Sequence, residues 1–226
     1  MSLDAVVFDF DGLVIDSEWA IYETARAAFA VHGHELAVEA WSSIVGLGED
    51  DDDRAWSTLV SAMGIEGFEM ATFSVTHAAQ DRSNRDALPL LPGVKTLVDG
   101  LLAAGVPIGV ASSSSVEWIE RHLGRLGLRH RFGTLVGADV VGGIGKPAPD
   151  VYLRACADLG AEPAHSVALE DSAHGVTAAK AAGMRVVAVP SRITRFNDFD
   201  HADLVVGSLE HLAVAGLASL VERTPR

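Results

Sequence analysis

Short apolar runs alternate with helical patterns along most of the chain. Positions 5–8 hold four apolar residues, two of them β-branched valines, and this pattern predicts a short strand buried on both faces. Further candidate strands lie at 107–111, 134–137, 166–169, 185–189 and 204–206. Helical patterns follow these runs, including a final helix at 209–221. The alternation predicts an α/β fold, a Rossmann-like parallel sheet with helices on both faces.

The segment 17–87 interrupts this alternation. It has helical periodicity and almost no strand signal, with helices predicted near 17–33, 38–45, 50–63 and 68–85. Pro89 and Pro92 then break the pattern where the chain returns to alternating strands and helices. We therefore predict an α/β core domain from residues 1–16 and 88–226, and an inserted all-helical cap domain from residues 17–87.

Composition restricts the classes of partner and compartment. The 226 residues carry a formal net charge of −14, which repels nucleic acid and anionic membranes, so we expect neither as a partner. No apolar run reaches the ~18 to 20 residues of a spanning helix, and we expect no secretion signal. Cys156 is the single cysteine, which favours a reducing cytoplasm and no disulfide. A phosphorylated small molecule would need local positive charge, and the chain has only three lysines.

Two carboxylates follow the first predicted strand. Asp9 and Asp11 are separated by one residue and precede Gly12. Ligands of open α/β sheets bind at the carboxyl ends of the strands. Two ionised carboxylates ~4 Å apart repel each other by roughly 4 kcal/mol near a protein surface, and a bound cation turns this into attraction. The pair therefore indicates a metal site, although two aspartates before a glycine are also a common turn sequence.

Complementary groups follow the later strands. Ser112 and Ser113 stand at a predicted helix start, where hydroxyls and N–H groups either hold phosphate oxygens or only cap the helix. Lys146 lies in a loop before another helix and would supply positive charge. Glu170 and Asp171 follow the strand at 166–169, and Asp171 can be a third oxygen ligand for Mg²⁺. The acidic run at 49–53 is interpreted instead as a solvated helix start.

These residues occur in an order that resembles the four motifs of the haloacid-dehalogenase-like (HAD) hydrolase superfamily. The motifs are Asp9-x-Asp11-Gly12, Ser112, Lys146-Pro147 and Glu170-Asp171-Ser172. The segment 169–184 is similar to the subfamily that contains β-phosphoglucomutase, phosphoglycolate phosphatase and sugar-phosphate phosphatases. The resemblance covers essentially the whole chain, including a helical cap inserted after the first motif.

The resemblance implies a role for each of these side chains. Asp9 would be the nucleophile that forms an aspartyl-phosphate, and Asp11 would be the general acid and base. Ser112 and Lys146 would bind the transferring phosphoryl group, with Ser113 beside them. These roles agree with the chemistry of phosphoryl transfer, which needs an in-line nucleophile, an acid for the leaving group and cations near the phosphoryl oxygens.

The resemblance also implies a magnesium cofactor. Mg²⁺ would be bound by the carboxylate of Asp9, the backbone carbonyl of Asp11 and the carboxylate of Asp171, with Glu170 beside them. A hard cation that keeps several waters and takes few carboxylates suits this set. The predicted metal residues are therefore Asp9, Asp11, Glu170 and Asp171.

The predicted activity is a Mg²⁺-dependent phosphatase that acts on a small phosphorylated metabolite, plausibly a sugar phosphate. The alternative is a mutase of the β-phosphoglucomutase kind. In mutases of that family a histidine stands at the position of Ile21, and a cap-loop arginine follows the position of Gly48, where this chain has Glu49. Both differences favour the phosphatase.

Three other activities fit the sequence less well. Enzymes that dehalogenate 2-haloacids resemble this scheme but lack the second acid of the first motif. Asp11 is that acid here, so its presence argues against this activity. Phosphonoacetaldehyde hydrolysis needs a cap lysine, and no lysine precedes Lys95. A non-catalytic binding module would not need the complete set of acids, serine and lysine, so the presence of this set argues against it. The identity of the substrate and the oligomeric state are not predicted.

Overall fold

A six-stranded parallel sheet forms the centre of the molecule. The computed structural model describes residues 3–31, 33–42, 44, 59–61, 63–65 and 87–222. The strands are β1 (Ala5–Phe8), β2 (Ile108–Ala111), β3 (Thr134–Val136), β4 (Ser166–Glu170), β5 (Arg185–Ala188) and β6 (Leu204–Val205). Their spatial order is β3-β2-β1-β4-β5-β6. The chain therefore adds β2 and β3 on one side of β1, and then β4, β5 and β6 on the other side. The predicted Rossmann-like parallel sheet is confirmed.

Seven α-helices are numbered here in chain order among the described residues. They are α1 (Ser17–Val31), α2 (Val38–Ser42), α3 (Val94–Ala103), α4 (Val116–Arg125), α5 (Asp150–Leu159), α6 (Ala173–Ala181) and α7 (Val214–Glu222). Residues 59–61 are also helical. Capping fixes several starts: the hydroxyl of Ser115 accepts the N–H of Trp118 at α4, and that of Ser172 accepts the N–H of Gly175 at α6.

Two apolar cores lie on opposite faces of the sheet. Because side chains alternate along a strand, Phe8 of β1 points into the core formed with α3, α4 and α7, whereas Val7 points into the core formed with α5 and α6. All four residues of β1 are buried, as expected for a central parallel strand. Cys156 belongs to the second core, and burial raises the pKa of its thiol to about 11.

The described part of the predicted cap has its own apolar cluster. Phe29 of α1, Trp41 of α2 and Leu59 pack together there, and Ile193 from the loop after β5 joins them. The chain entering and the chain leaving this segment lie side by side, because Ile15 pairs with Leu90 in an antiparallel bridge. The boundaries at residues 16 and 88 remain predictions. The helix predicted at 68–85 and most of the one at 50–63 lie outside the described residues.

The end of the chain differs from the prediction. The final helix was expected to begin at Leu209, but a separate 3₁₀ turn spans Leu209–His211 and α7 begins only at Val214. The hydroxyl of Ser208 accepts the N–H of Glu210 and closes this turn, and Leu212 then adopts an extended backbone. None of the helices among the described residues combines the length and the apolar character that crossing a membrane requires.

An ion-pair cluster at Asp203, just before β6, ties the segment leading into this edge strand to β5 and α6. Its carboxylate accepts from Lys180 at 2.8 Å, from Arg185 at 3.1 Å and from the backbone N–H of Val186 at 2.8 Å. Burial raises the pKa of Asp203, but these hydrogen bonds outweigh it and the net pKa is lowered. The group therefore stabilises the fold above its unfolded pKa of ~3.9, and this contribution disappears as the pH falls through the lower folded value.

We therefore expect Asp203→Asn to reduce the free energy of unfolding by about 1.5–3 kcal/mol at pH 7, the range for hydrogen bonds to charged groups. Denaturant titrations from pH 7 to pH 3 should show the difference from wild type shrinking below about pH 4. Asp200→Asn, at an exposed aspartate, is the control and should have little effect. A difference that stays constant across this range would contradict the assignment.

Candidate active site

Three neighbouring strands bring the predicted residues to one edge of the sheet. Asp9 directly follows β1, Ser112 directly follows β2, and Glu170 is the last residue of β4. Because β2, β1 and β4 are adjacent and parallel, their carboxyl ends meet at the centre of the sheet. Asp9, Ser112 and Glu170 are all buried there. This is the position where open α/β sheets bind ligands.

A buried lysine connects two of the carboxylates. The ammonium of Lys146 lies 2.5 Å from Oδ1 of Asp9 and 2.5 Å from Oε1 of Glu170, and Lys146 is only 5% exposed. Burial alone lowers the pKa of Lys146, but the two carboxylates outweigh burial and raise it. Lys146 therefore keeps its positive charge beside these two carboxylates.

Glu170 has no oxygen left over for another ligand. Its Oε1 accepts from Lys146 and, at 2.7 Å, from the hydroxyl of Tyr152, while its Oε2 accepts from the N–H and the hydroxyl of Ser172, both at 3.1 Å. The first turn of α6 lies directly against this carboxylate, because a Cβ on Gly175 would stand 1.8 Å from Oε1. Glu170 therefore orients Lys146.

Sequence reasoning missed Tyr152. It lies on α5, is completely buried, and holds the ammonium of Lys146 4.9 Å from its ring centroid. Burial, followed by the charge of Glu170, raises the pKa of its hydroxyl, so the hydroxyl stays a hydrogen-bond donor. The available signal was a tyrosine at an apolar position of a helix, since a buried tyrosine hydroxyl needs a partner.

Two carboxylate oxygens in the site are buried without a partner. Oδ2 of Asp9 and Oδ2 of Asp171 have no hydrogen-bond partner among the described residues. Oxygens of Asp9, Glu170 and Asp171 all lie within 4.8 Å of one another. Burial raises the pKa of Asp9 even though Lys146 lowers it, and burial together with repulsion from Asp9 and Glu170 raises the pKa of Asp171. Two unpartnered carboxylate oxygens in a negative cluster have the chemistry that a hard cation requires.

Asp11 does not join this cluster with its side chain. Its Oδ1 accepts from the hydroxyl of Ser17 at 2.6 Å and from the indole N–H of Trp118 at 3.0 Å. Its Oδ2 accepts from the hydroxyls of Ser114 at 2.7 Å and Ser112 at 3.4 Å. Its carboxylate therefore faces the starts of α1 and α4. The carboxylate of Asp11 is therefore occupied by these four donors, and the ligand that the resemblance implies for Asp11 is its backbone carbonyl.

The two predicted phosphate-binding serines have different surroundings. The hydroxyl of Ser112 accepts the N–H of Ser114 at 3.0 Å and also lies near Asp11. The hydroxyl of Ser113 accepts the backbone N–H of Lys146 at 3.2 Å, so it fixes the loop that carries the lysine. Ser112 is thus placed among the acids, and Ser113 supports Lys146.

The chain belongs to the haloacid dehalogenase-like hydrolase family, which it matches over residues 6–189. Hexitol phosphatase B of Escherichia coli K12 is 33% identical over 94% of this chain and 96% of its own. The protein YhcW of Bacillus subtilis is 34% identical over 97% of both chains. The crystal structure of a HAD family hydrolase from Deinococcus radiodurans, with bound phosphate and sodium, has a TM-score of 0.77 and 27% identity, and covers 100% of this chain and 99% of that one.

These matches confirm the predicted family and the class of enzyme. The chain is a HAD-family phosphoric monoester hydrolase. The match to the family spans all of the residues brought together at the sheet edge, from Asp9 to Asp171.

Gly12 makes the close approach of Asp171 possible. Its φ is +86°, and a Cβ there would stand 2.2 Å from Oδ2 of Asp171. Gly183 has almost the same backbone, with φ +84°, but a Cβ there would have nothing within 4 Å. Alanine costs about 1–2 kcal/mol in this left-handed region at either position.

We expect Gly12→Ala to abolish phosphatase activity because the new methyl group displaces Asp171. Gly183→Ala should lose similar stability and keep its activity. Thermal melts and phosphate-release assays on both variants separate the two effects. Equal activities in the two variants would show that the position of Asp171 does not matter.

Proposed function

We propose that this protein is a Mg²⁺-dependent phosphatase that hydrolyses a small phosphorylated metabolite, a sugar phosphate, through an aspartyl-phosphate on Asp9. The observation that carries the proposal is the asymmetry of the Asp9 carboxylate. One oxygen is held by Lys146, the other is buried and unpartnered, and the carboxylate lies in a cluster with those of Glu170 and Asp171. A carboxylate used only for packing would have both oxygens satisfied.

The unpartnered oxygens fit a bound Mg²⁺. Asp9 and Asp171 would supply carboxylate ligands, and the backbone carbonyl of Asp11 would supply a third. Glu170 would remain beside the ion, because its oxygens already accept from Lys146, Tyr152 and Ser172. The ion would neutralise negative charge on the phosphoryl oxygens.

In the first step, a carboxylate oxygen of Asp9 attacks the phosphorus atom of the substrate. The bond between phosphorus and the ester oxygen breaks, and its electron pair leaves with that oxygen. The carboxyl group of Asp11 transfers its proton to the same oxygen, so a neutral alcohol departs. Lys146 and the hydroxyl of Ser112 stabilise the charge on the equatorial phosphoryl oxygens.

In the second step, the carboxylate of Asp11 removes a proton from water. The water oxygen attacks phosphorus, and the bond to Asp9 breaks with its electron pair returning to the Asp9 carboxylate. Inorganic phosphate is released, and Asp11 is protonated again. The cycle therefore begins and ends with Asp9 ionised and Asp11 neutral.

The relatives and the charge support a small sugar-like substrate. Hexitol phosphatase B is 33% identical to this chain, and its name specifies a phosphorylated sugar alcohol. The formal charge of −14 disfavours nucleic acid, whereas Lys146 gives a single phosphate a local cation. A cytoplasmic location remains our prediction.

The metal requirement is tested by chelation. EDTA should abolish activity, and Mg²⁺ should restore it in a saturable way. Asp171→Asn, which removes a charge next to the unpartnered oxygen of Asp9, should raise the Mg²⁺ concentration for half-maximal activity at least about tenfold. Asp200→Asn, at an exposed carboxylate, should leave it unchanged. Full activity of wild type in EDTA would overturn the metal-dependent proposal.

The alternative activity is that of a phosphosugar mutase. Such an enzyme must shield its aspartyl-phosphate from water and bind a second phosphate against the cap. Ile21, at the position where the family's mutases have a histidine, packs against the apolar cluster of the cap. The loop with Gly48 and Glu49 lies outside the described residues. The described part of the cap therefore favours the phosphatase.

A coupled assay distinguishes the two activities. With β-glucose 1-phosphate, Mg²⁺ and a bisphosphate primer, we expect release of inorganic phosphate and no glucose 6-phosphate, because Ile21 cannot hold a second phosphate. Glucose-6-phosphate dehydrogenase reports any glucose 6-phosphate as NADPH. Sustained NADPH formation without matching phosphate release would establish the mutase instead.

A further inference from the structure

The two oxygens of the Asp11 carboxylate have different kinds of donor. Oδ1 accepts from Ser17, at the first residue of α1, and from the indole N–H of Trp118, in the first turn of α4. Oδ2 faces only hydroxyls, those of Ser114 and Ser112. Donors from separate parts of the fold thus converge on one side chain.

The type of each donor determines where a proton can sit. An indole N–H can only donate, whereas a hydroxyl rotates and either donates or accepts. Ser17 can turn in this way, but Trp118 can only donate, and a protonated carboxyl oxygen accepts more weakly than a carbonyl oxygen, so a proton on Oδ1 would weaken the bond from the indole. Oδ2 can carry a proton, because the hydroxyl of Ser114 can turn and accept from it. The neutral carboxyl group therefore holds its proton on Oδ2.

The indole is held in place by its own helix. Its ring centroid lies 4.1 Å from that of the buried His122 at a tilt of 56°, and the guanidinium of Arg121 lies 5.1 Å from the ring. The backbone N–H of Trp118 donates to the hydroxyl of Ser115, the residue that caps α4. These contacts keep the indole N–H directed at Asp11.

We propose that Trp118 is a positioning residue for the general-acid step. Its N–H donates to Oδ1 of Asp11 and keeps that oxygen a hydrogen-bond acceptor. The proton that Asp11 transfers to the leaving-group oxygen therefore resides on Oδ2. This inference rests on the proposed function, in which Asp11 protonates the leaving group. It adds a residue outside the four motifs, and it explains why an aromatic donor stands beside a carboxylate in the first turn of α4.

A pair of substrates with different leaving groups tests the inference. p-Nitrophenolate departs without protonation, whereas phenolate is a poorer leaving group and needs the acid. Trp118→Phe keeps the ring and removes the N–H. We expect its kcat/KM to fall about tenfold on phenyl phosphate and less than about twofold on p-nitrophenyl phosphate, within the range of general-acid effects. The value of kcat/KM reports only the steps up to departure of the leaving group. The later role of Asp11 as a base in hydrolysis therefore does not affect this comparison.

Three further variants make the outcome decisive. Asp11→Asn should show the same selective loss in larger form, whereas Ser17→Ala, which removes a hydroxyl that can turn and accept, should show a smaller selective loss than Trp118→Phe. Trp41→Phe, the same change in the buried cluster of the cap, should change kcat/KM by the same factor for both substrates. Selective loss in Asp11→Asn, together with a loss in folded Trp118→Phe that is equal on the two substrates, would refute the inference and leave the proposed function intact. A loss of kcat/KM in Asp11→Asn that is equal on the two substrates would refute the proposed role of Asp11 as the general acid.

Discussion

A single buried ammonium group among carboxylates is the interaction on which the site depends. Lys146 contacts Asp9 and Glu170, and Asp171 lies in the same cluster. When ionised, three carboxylates against one ammonium leave two negative charges in a buried position. Losing one partner of a buried ion pair costs about 3–5 kcal/mol, so the lysine stabilises the fold in addition to its proposed role in binding phosphate. The excess negative charge is what a divalent cation would neutralise.

The fold supplies this cluster through backbone geometry at the sheet edge. Parallel pairing of β1 with β4 places Asp9 beside Glu170, and the positive φ of Gly12 gives Asp171 room to approach. The absence of a Cβ on Gly175 allows α6 to start directly against Glu170. Close packing at glycines therefore sets the distances between charged groups, and those distances determine which oxygens stay free for a ligand.

Features that depend on a local sequence pattern could be predicted from the sequence. Contacts between residues far apart in the chain could not. Residues next to strands, such as Asp9 and Asp171, were identified because a buried strand followed by acids is visible in the chain itself. Tyr152 and Trp118 were not identified, since they reach the site from helix positions whose periodicity indicates only packing. The start of the final helix was also wrong, because the turn at Leu209 is closed by a side-chain hydrogen bond that the apolar pattern does not encode.

Covalent phosphorylation of Asp9 is the central claim, and trapping the intermediate tests it most directly. The Asp11→Asn variant mixed with p-nitrophenyl phosphate should accumulate the aspartyl-phosphate, because this substrate needs no acid and the variant lacks the base for hydrolysis. Borohydride reduces an acyl phosphate to the alcohol, and peptide mass spectrometry then locates it. The account predicts homoserine at position 9, formed only with substrate and absent from the Asp9→Asn variant. Release of p-nitrophenolate with the modification at any other residue, or with none, would contradict it.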